Sequence, residues 1–256
     1  MTEKPGCLFC GAAGPMTKEH IIPRWLAKLT ARRGGPVTQS RASYTQPVPH
    51  VRSYPVVGIK LPGVCLGCNG GWMKGLEDAV KPLLTPMIGG QRIQLSPADQ
   101  RVLATWLYKM CLLLRYDDRP PETPPLEWRR WLYVKREPPP SSQAWLAVYG
   151  GDWRRPWWTR RHGLIVQTIE EETGQLLHES NGYLTTIQIG AVGLQMVVWG
   201  TLPIEGKPFA DERHLLRIWP PTDDTLSWPT PFAFDAEWMD RWATQWLTTP
   251  PPPLGI

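Results

Sequence analysis

The feature that most constrains this chain is a set of four cysteines arranged as two Cys-x-x-Cys pairs far apart in the sequence. Cys7 and Cys10 form the first pair, and Cys65 and Cys68 form the second. Two pairs of thiolates match the tetrahedral ligand set of a structural Zn²⁺, with Zn–S bonds of about 2.3 Å. Paired cysteines outside a secretory context are also more typical of metal ligands than of disulfides. The spacing therefore predicts one zinc ion that ties two distant loops together.

Three further polar residues accompany these pairs. Glu19 and His20 stand between the two pairs, and Asn69 follows the last cysteine directly. A carboxylate and a carboxamide offer the hard oxygen ligands that Mg²⁺ prefers, and an imidazole is a base near neutral pH. Held together, such groups meet the requirements of metal-assisted phosphodiester cleavage. Two alternatives stay open, because a lone histidine is more often a core or surface residue and an asparagine at a helix start often only caps the helix.

These segments resemble the HNH or ββα-metal endonucleases, in the branch similar to phage endonuclease VII. In that branch a hairpin and a helix are built on a treble-clef zinc site. The matching segments are Cys7 to Cys10, Lys18 to Pro23 and Val64 to Asn69. The resemblance covers roughly residues 1–90 and implies a metal-dependent nuclease that acts on DNA.

The resemblance also implies a role for each polar residue. Glu19 and Asn69 match the positions that hold the catalytic Mg²⁺ or Mn²⁺, and His20 matches the general base. The chain departs from the family at Lys60, where a bracing asparagine is frequent, and at Trp72, where a lysine is common. Glu19 also replaces the more usual aspartate, which lengthens the ligand arm by one methylene group.

Positive charge is concentrated in the same part of the chain. The first 95 residues contain 12 Lys and Arg against 4 Asp and Glu, whereas the whole chain has 28 against 23. A basic surface attracts the phosphate backbone without reading base sequence, so we expect DNA as the partner and keep RNA as an alternative. Basic residues that merely solvate an exposed loop are the competing interpretation. The candidate contacts are Arg24, Lys28, Arg32, Arg33, Lys60 and Lys74.

Hydrophobic periodicity predicts an α+β protein with two domains. Residues 1–92 are expected to form the zinc-bound HNH-like domain, with a loop over 31–47, a strand over 48–61 and a helix starting at Asn69. Residues 93–256 hold most of the tryptophans and are expected to form an accessory domain of helices and antiparallel strands. There we predict a buried helix beginning at Ser96, a strand over 182–200 and a turn at Asn181-Gly182.

Composition limits the remaining possibilities. The chain has 256 residues, enough for a substantial core, and no stretch approaches the ~18 apolar residues of a membrane span. We therefore expect a cytoplasmic protein without a membrane partner. Cys111, which has no partner cysteine nearby in the sequence, is expected to be a small core residue of an apolar helix.

Two function classes are compatible with these residues. The first is a metal-dependent HNH endonuclease that hydrolyses phosphodiester bonds of DNA with His20, Glu19 and Asn69. The second is a zinc-stabilised nucleic-acid-binding or scaffold protein with an inactive HNH fold, which Lys60 in the bracing position favours. Convergence of Glu19, His20 and Asn69 would favour the enzyme.

Overall fold

The computed structural model combines helices with β-sheet, in agreement with the predicted α+β class. It describes residues 6–31, 37–42, 50–54, 60–116, 124–151, 157–169, 173, 176–199 and 213–244. A π-helical turn over Asn69–Met73 joins the second helix to the third. The helices are α1 (Arg24–Ala31), α2 (Leu66–Cys68), α3 (Lys74–Ile88), α4 (Pro97–Tyr116), α5 (Leu126–Lys135) and α6 (Ala236–Thr244).

The described strands form one large sheet and two small ones. The strands are β1 (Met16–His20), β2 (Val37–Ala42), β3 (His50–Tyr54), β4 (Lys60–Cys65), β5 (Ile93–Leu95), β6 (Ser142–Tyr149), β7 (Trp157–Ile169), β8 (Leu176–Ile189), β9 (Val192–Val198), β10 (Leu215–Trp219), β11 (Leu226–Trp228) and β12 (Ala233–Phe234). The large sheet has the order β10-β6-β9-β8-β7-β2-β3, with β12 also paired to β6. The small sheets pair β1 with β4 and β5 with β11.

The β1–β4 pair positions the candidate site. The strands are antiparallel, with Met16 opposite Cys65 at one end and His20 opposite Lys60 at the other. The backbone of Leu8 donates to the Gly63 carbonyl at 2.8 Å, so the first cysteine turn (residues 7–10) packs directly on β4. α2, the π-helical turn and α3 follow β4 without a loop. A strand pair followed by a helix is therefore present, although α1, β2 and β3 lie between the two strands in the chain.

Helix α4 is the buried helix predicted from Ser96 onward. The Ser96 hydroxyl accepts from the Asp99 backbone N–H at 3.2 Å, and Asp99 Oδ2 accepts from the Ser96 N–H at 2.9 Å, which is a reciprocal cap of the helix start. Every residue from 103 to 115 is buried, because α4 packs against α3 on one side and against β9 and β10 on another. Cys111 is buried within this run, as expected.

Three local predictions differ from the structure. The predicted loop over 31–47 contains strand β2, whose polar residues pair with β3 on one side and with β7 on the other. The predicted turn at Asn181-Gly182 lies inside strand β8. The predicted strand over 182–200 is two strands, because the chain turns at Gly190, where φ is 55°. In the first two cases strand pairing overrides the local pattern. In the third, the turn at Gly190 reverses the chain so that β9 pairs with β8.

One large hydrophobic cluster connects residues on both sides of the predicted boundary at residue 92. Phe9 and Leu26 belong to it, and so do Trp106 and Leu194. The division into domains 1–92 and 93–256 stays a prediction. None of the described helices combines the length and the apolar character that crossing a bilayer requires.

Candidate metal centre and the residues around it

Four cysteine thiols meet at one point. Cys7 and Cys10 lie in the first cysteine turn, Cys65 ends β4 and Cys68 ends α2, and their sulfur atoms all lie within 4.8 Å of one another. The sulfurs of Cys10 and Cys65 are 3.7 Å apart. Two sulfurs of a tetrahedron with Zn–S bonds of about 2.3 Å are about 3.8 Å apart, so the donor set has the size that zinc requires. These four thiols can hold a metal ion such as zinc.

Backbone N–H groups prepare this centre for negative charge. The N–H of Cys65 donates to the sulfur of Cys7 at 3.3 Å, and the N–H of Cys68 donates to the sulfur of Cys65 at 3.4 Å. Burial alone would raise the pKa of Cys7, but the surrounding backbone N–H groups outweigh it and lower that pKa to about 6. Burial raises the pKa of Cys10 and Cys68. Binding of a metal ion to these thiols would therefore release protons from Cys10 and Cys68.

Two arginines that lie beyond residue 92 contact the same region. Arg129 on α5 donates to the backbone carbonyl of Leu8 at 3.4 Å. The guanidinium of Arg136 lies 4.5 Å from the centre of the Trp72 ring. Burial lowers the pKa of Arg136, and Tyr133 and Cys68 oppose this with smaller effects. A zinc ion with four thiolates would carry a net charge of about −2, which guanidiniums in this region could partly compensate.

Glu19 and His20 lie at the end of β1 that is remote from the cysteines. Glu19 is buried, with 6% of its surface exposed, and stands opposite Leu61. His20 is half-buried and stands opposite Lys60. Successive side chains of a strand point to opposite faces, so only Glu19 of the two faces the interior. His20 is left at the rim, where a substrate can reach it.

The side chain of Asn69 reaches across to β1. Its Nδ2 atom donates to Thr17 Oγ1 at 2.9 Å, and Thr17 in turn donates to the carbonyl of Val64 at 2.9 Å. Asn69 also lies near enough to Glu19 to lower the pKa of its carboxyl group, although this is the smallest of the effects on that group. No side chain caps the π-helical turn that Asn69 begins. The side chain of Asn69 therefore hydrogen-bonds to β1, the strand that carries Glu19, and does not cap its own helix.

Two charged residues that the sequence analysis missed complete this cluster. Lys109 on α4 is fully buried, and its Nζ atom lies 2.6 Å from Glu77 Oε1 and 3.9 Å from Glu19 Oε1. Burial raises the pKa of Glu19, the positive charge of Lys109 lowers it, and the negative charge of Glu77 raises it, with a net increase. The sequence feature that could have pointed to this cluster is Lys109 itself, a lysine among the apolar residues of α4.

The environment of His20 favours its neutral form. Burial lowers the pKa of His20, and the positive charges of Lys60 and Arg24 lower it further, while the negative charge of Glu77 acts in the opposite direction with a smaller effect. The net result is a pKa below the usual 6.5 of an imidazole. At neutral pH the ring is therefore uncharged and able to accept a proton.

The predicted nucleic-acid contacts are distributed unevenly. Arg24 and Lys60 are exposed and lie near His20, since both influence its pKa. Lys28 is exposed on α1, and Lys74 is exposed at the start of α3, where it pairs with Asp78 at 2.5 Å. Arg32 and Arg33 lie outside the described residues.

Within the part of the chain that the structure describes, the cysteine centre is the single group of three or more His, Cys, Asp or Glu residues whose ligand atoms lie together. Glu19 and Asn69 offer a smaller set of one carboxylate and one carboxamide. Mg²⁺ is often held by one or two carboxylates and completes its shell with water and phosphate oxygens, so two protein ligands fit such an ion. No protein-family model, curated protein or solved structure matches this chain.

Proposed function

We propose that this protein is a metal-dependent endonuclease of the HNH type that hydrolyses phosphodiester bonds of DNA. The observation that carries the proposal is that Asn69 hydrogen-bonds to Thr17 of β1, the strand that also carries Glu19 and His20, in a strand pair that ends at the four-cysteine centre. The Zn²⁺ ion has a structural part in this proposal. It fixes Asn69, which directly follows Cys68, relative to β1.

Glu19 and Asn69 are the residues that would hold the catalytic Mg²⁺ or Mn²⁺. Because Nδ2 of Asn69 is bonded to Thr17, the carbonyl oxygen Oδ1 is the atom of this side chain suited to a metal. The Glu19 carboxylate supplies the second oxygen, and its burial limits competition from bulk water. A divalent ion in this position supplies positive charge to the phosphate and to the leaving oxygen.

His20 is the general base in this proposal. Its half-exposed imidazole, kept uncharged by burial and by Lys60 and Arg24, accepts a proton from the water that attacks phosphorus. The same two cations favour the approach of the anionic backbone, so they serve both steps. Exposed Lys28 and Lys74 extend the basic surface along α1 and α3.

A plasmid-nicking assay tests the proposal. Zinc-loaded protein should convert supercoiled DNA to nicked and linear forms with Mg²⁺ or Mn²⁺ and not with EDTA, and parallel reactions on single-stranded DNA and RNA define the substrate. His20→Ala should reduce the rate by about 10²- to 10⁴-fold while zinc content and DNA affinity stay near wild type. The matched control is His214→Gln, because His214 lies among Phe232, Phe234 and Trp238 away from this cluster.

The second candidate is a zinc-stabilised nucleic-acid-binding or scaffold protein without turnover. The buried ammonium of Lys109 favours it, because this cation already balances carboxylates that a metal would otherwise neutralise. Lys60, in place of the bracing asparagine, points the same way. Zinc-loaded protein that binds DNA in a salt-dependent manner and cleaves no nucleic acid with any divalent ion would establish this candidate instead.

A further inference from the structure

The proposed reaction leaves the most deeply buried charge near the site without a role. Lys109 has no exposed surface, yet its Nζ atom lies 2.6 Å from Glu77 and 3.9 Å from Glu19. Removing an ammonium group from water is costly and is tolerated when carboxylates compensate it. A simple ion pair between α3 and α4 would require only Glu77. The second carboxylate, from β1, is also the predicted metal ligand.

Three elements therefore bring their charges to one point. α4 contributes an ammonium, α3 contributes the carboxylate of Glu77, and β1 contributes the carboxylate of Glu19. Asn69 reaches the same strand β1 through its hydrogen bond to Thr17. Any cation that binds to Glu19 and Asn69 lies close to Nζ. Because Nζ is inaccessible from solvent, it cannot contact DNA, and its effect on the reaction must pass through Glu19.

We propose that Lys109 is a built-in counter-ion that weakens divalent-metal binding at Glu19 and Asn69, and that it thereby regulates this site. The inference rests on the proposed function. Lys109 is a positioning residue in this scheme. A metal ion that enters alone is repelled by Nζ, whereas a metal ion that enters with a phosphate group brings compensating negative charge. The site then acquires its metal together with DNA, and metal and DNA strengthen each other's binding.

Mn²⁺ binding to the zinc-loaded full chain without DNA tests the proposal, with free Mn²⁺ followed by electron paramagnetic resonance. Lys109→Met removes one positive charge, and at a separation of about 5 Å its repulsion of a divalent ion corresponds to about tenfold in affinity even at the dielectric constant of water. We expect Lys109→Met to tighten Mn²⁺ binding by at least that factor. Glu77→Gln, which leaves the ammonium unbalanced, should weaken binding. The double variant should return close to wild type.

The direction of the change in Mn²⁺ affinity distinguishes this proposal from a purely structural ion pair. The proposal expects Lys109→Met and Glu77→Gln to change this affinity in opposite directions. If Lys109 only holds α4 against α3, both single variants and the double variant disturb Glu19 and weaken Mn²⁺ binding, and that result overturns the proposal, as does unchanged affinity. Should Lys109→Met not fold, recovery of wild-type affinity when it is added to Glu77→Gln carries the test. Arg101→Met is the matched control, because Arg101 lies on the same helix and pairs with Glu137 at 2.6 Å on the surface.

Glu19→Gln distinguishes failure of this inference from failure of the proposed function. If Mn²⁺ binding by the wild type depends on Glu19 and Lys109→Met does not tighten it, only the counter-ion role is wrong. If Mn²⁺ binding does not depend on Glu19, the proposed catalytic metal site is wrong, and the proposed counter-ion role of Lys109 is then wrong as well. Zinc content and thermal unfolding are measured for every variant so that loss of the fold is recognised.

Discussion

Replacing Cys68 by serine should release the metal from the cysteine centre and unfold the first part of the chain. Cys68 is 3% exposed, and its sulfur lies within 4.8 Å of the other three. Structural zinc contributes about 10–16 kcal/mol to the folding of small zinc modules, so an even share for one of four ligands is about 2.5–4 kcal/mol. A whole domain is stable by only about 5–15 kcal/mol. The loss of one thiolate is therefore comparable with the net stability of this region.

The assay combines elemental analysis with thermal unfolding and limited proteolysis. We expect one zinc per wild-type chain, almost none in Cys68→Ser after mild chelation, and early cleavage within residues 6–31 of the variant. Cys111→Ala is the control, because Cys111 is also buried but lies in α4 outside the four-thiol group. It should keep its zinc and lose only about 1 kcal/mol. A Cys68→Ser protein that keeps one zinc and the wild-type melting temperature would refute the reasoning.

Three further predictions concern the candidate active site. Glu19→Ala should raise the Mg²⁺ concentration needed for cleavage, whereas Glu19→Asp should retain activity because it keeps the carboxylate; a metal titration of the cleavage rate decides. The cleavage rate should fall only below about pH 6.5, because the lowered pKa keeps His20 uncharged above that value. Lys60→Ala removes a positive charge that lowers the pKa of His20, so the loss of activity in acid should begin at a higher pH. DNA affinity should fall steeply with salt, and removal of one phosphate contact, at Arg24 or Lys60, should reduce the slope of log K against log salt by about one; a slope that ignores both changes would contradict the electrostatic interpretation.

The metal centre was predictable because its signal is local. A Cys-x-x-Cys pair places two thiols at one turn in almost any fold, and two such pairs are a ligand set typical of zinc. The proximity of Glu19 to Asn69 was predictable only through the cysteines. Asn69 adjoins Cys68, and β1 begins opposite Cys65, so the zinc ligands fix both ends of the arrangement.

The pair formed by Lys109 and Glu77 could not be predicted in the same way. Its existence depends on which faces of α3 and α4 meet, and the packing of two helices is not encoded in the spacing of either one. A lysine in an apolar helix also has the ordinary alternative of extending its charge to solvent. The break between β8 and β9 has a similar origin. Ile88 of α3 packs so close to Gly190 that a Cβ atom there would lie 2.6 Å from its carbonyl oxygen.

The charges that balance the interior of the first part of the chain come from beyond residue 92. Lys109 faces Glu19 and Glu77, and the arginines of the α5 region, Arg129 and Arg136, lie around the cysteine centre. The basic residues that make the first 95 residues strongly positive are not needed for this purpose. Those that are exposed in the described region include Arg24, Lys28 and Lys60, and these can act outward on a phosphate backbone. We therefore expect nucleic acid to be the partner, whichever of the two proposed functions applies.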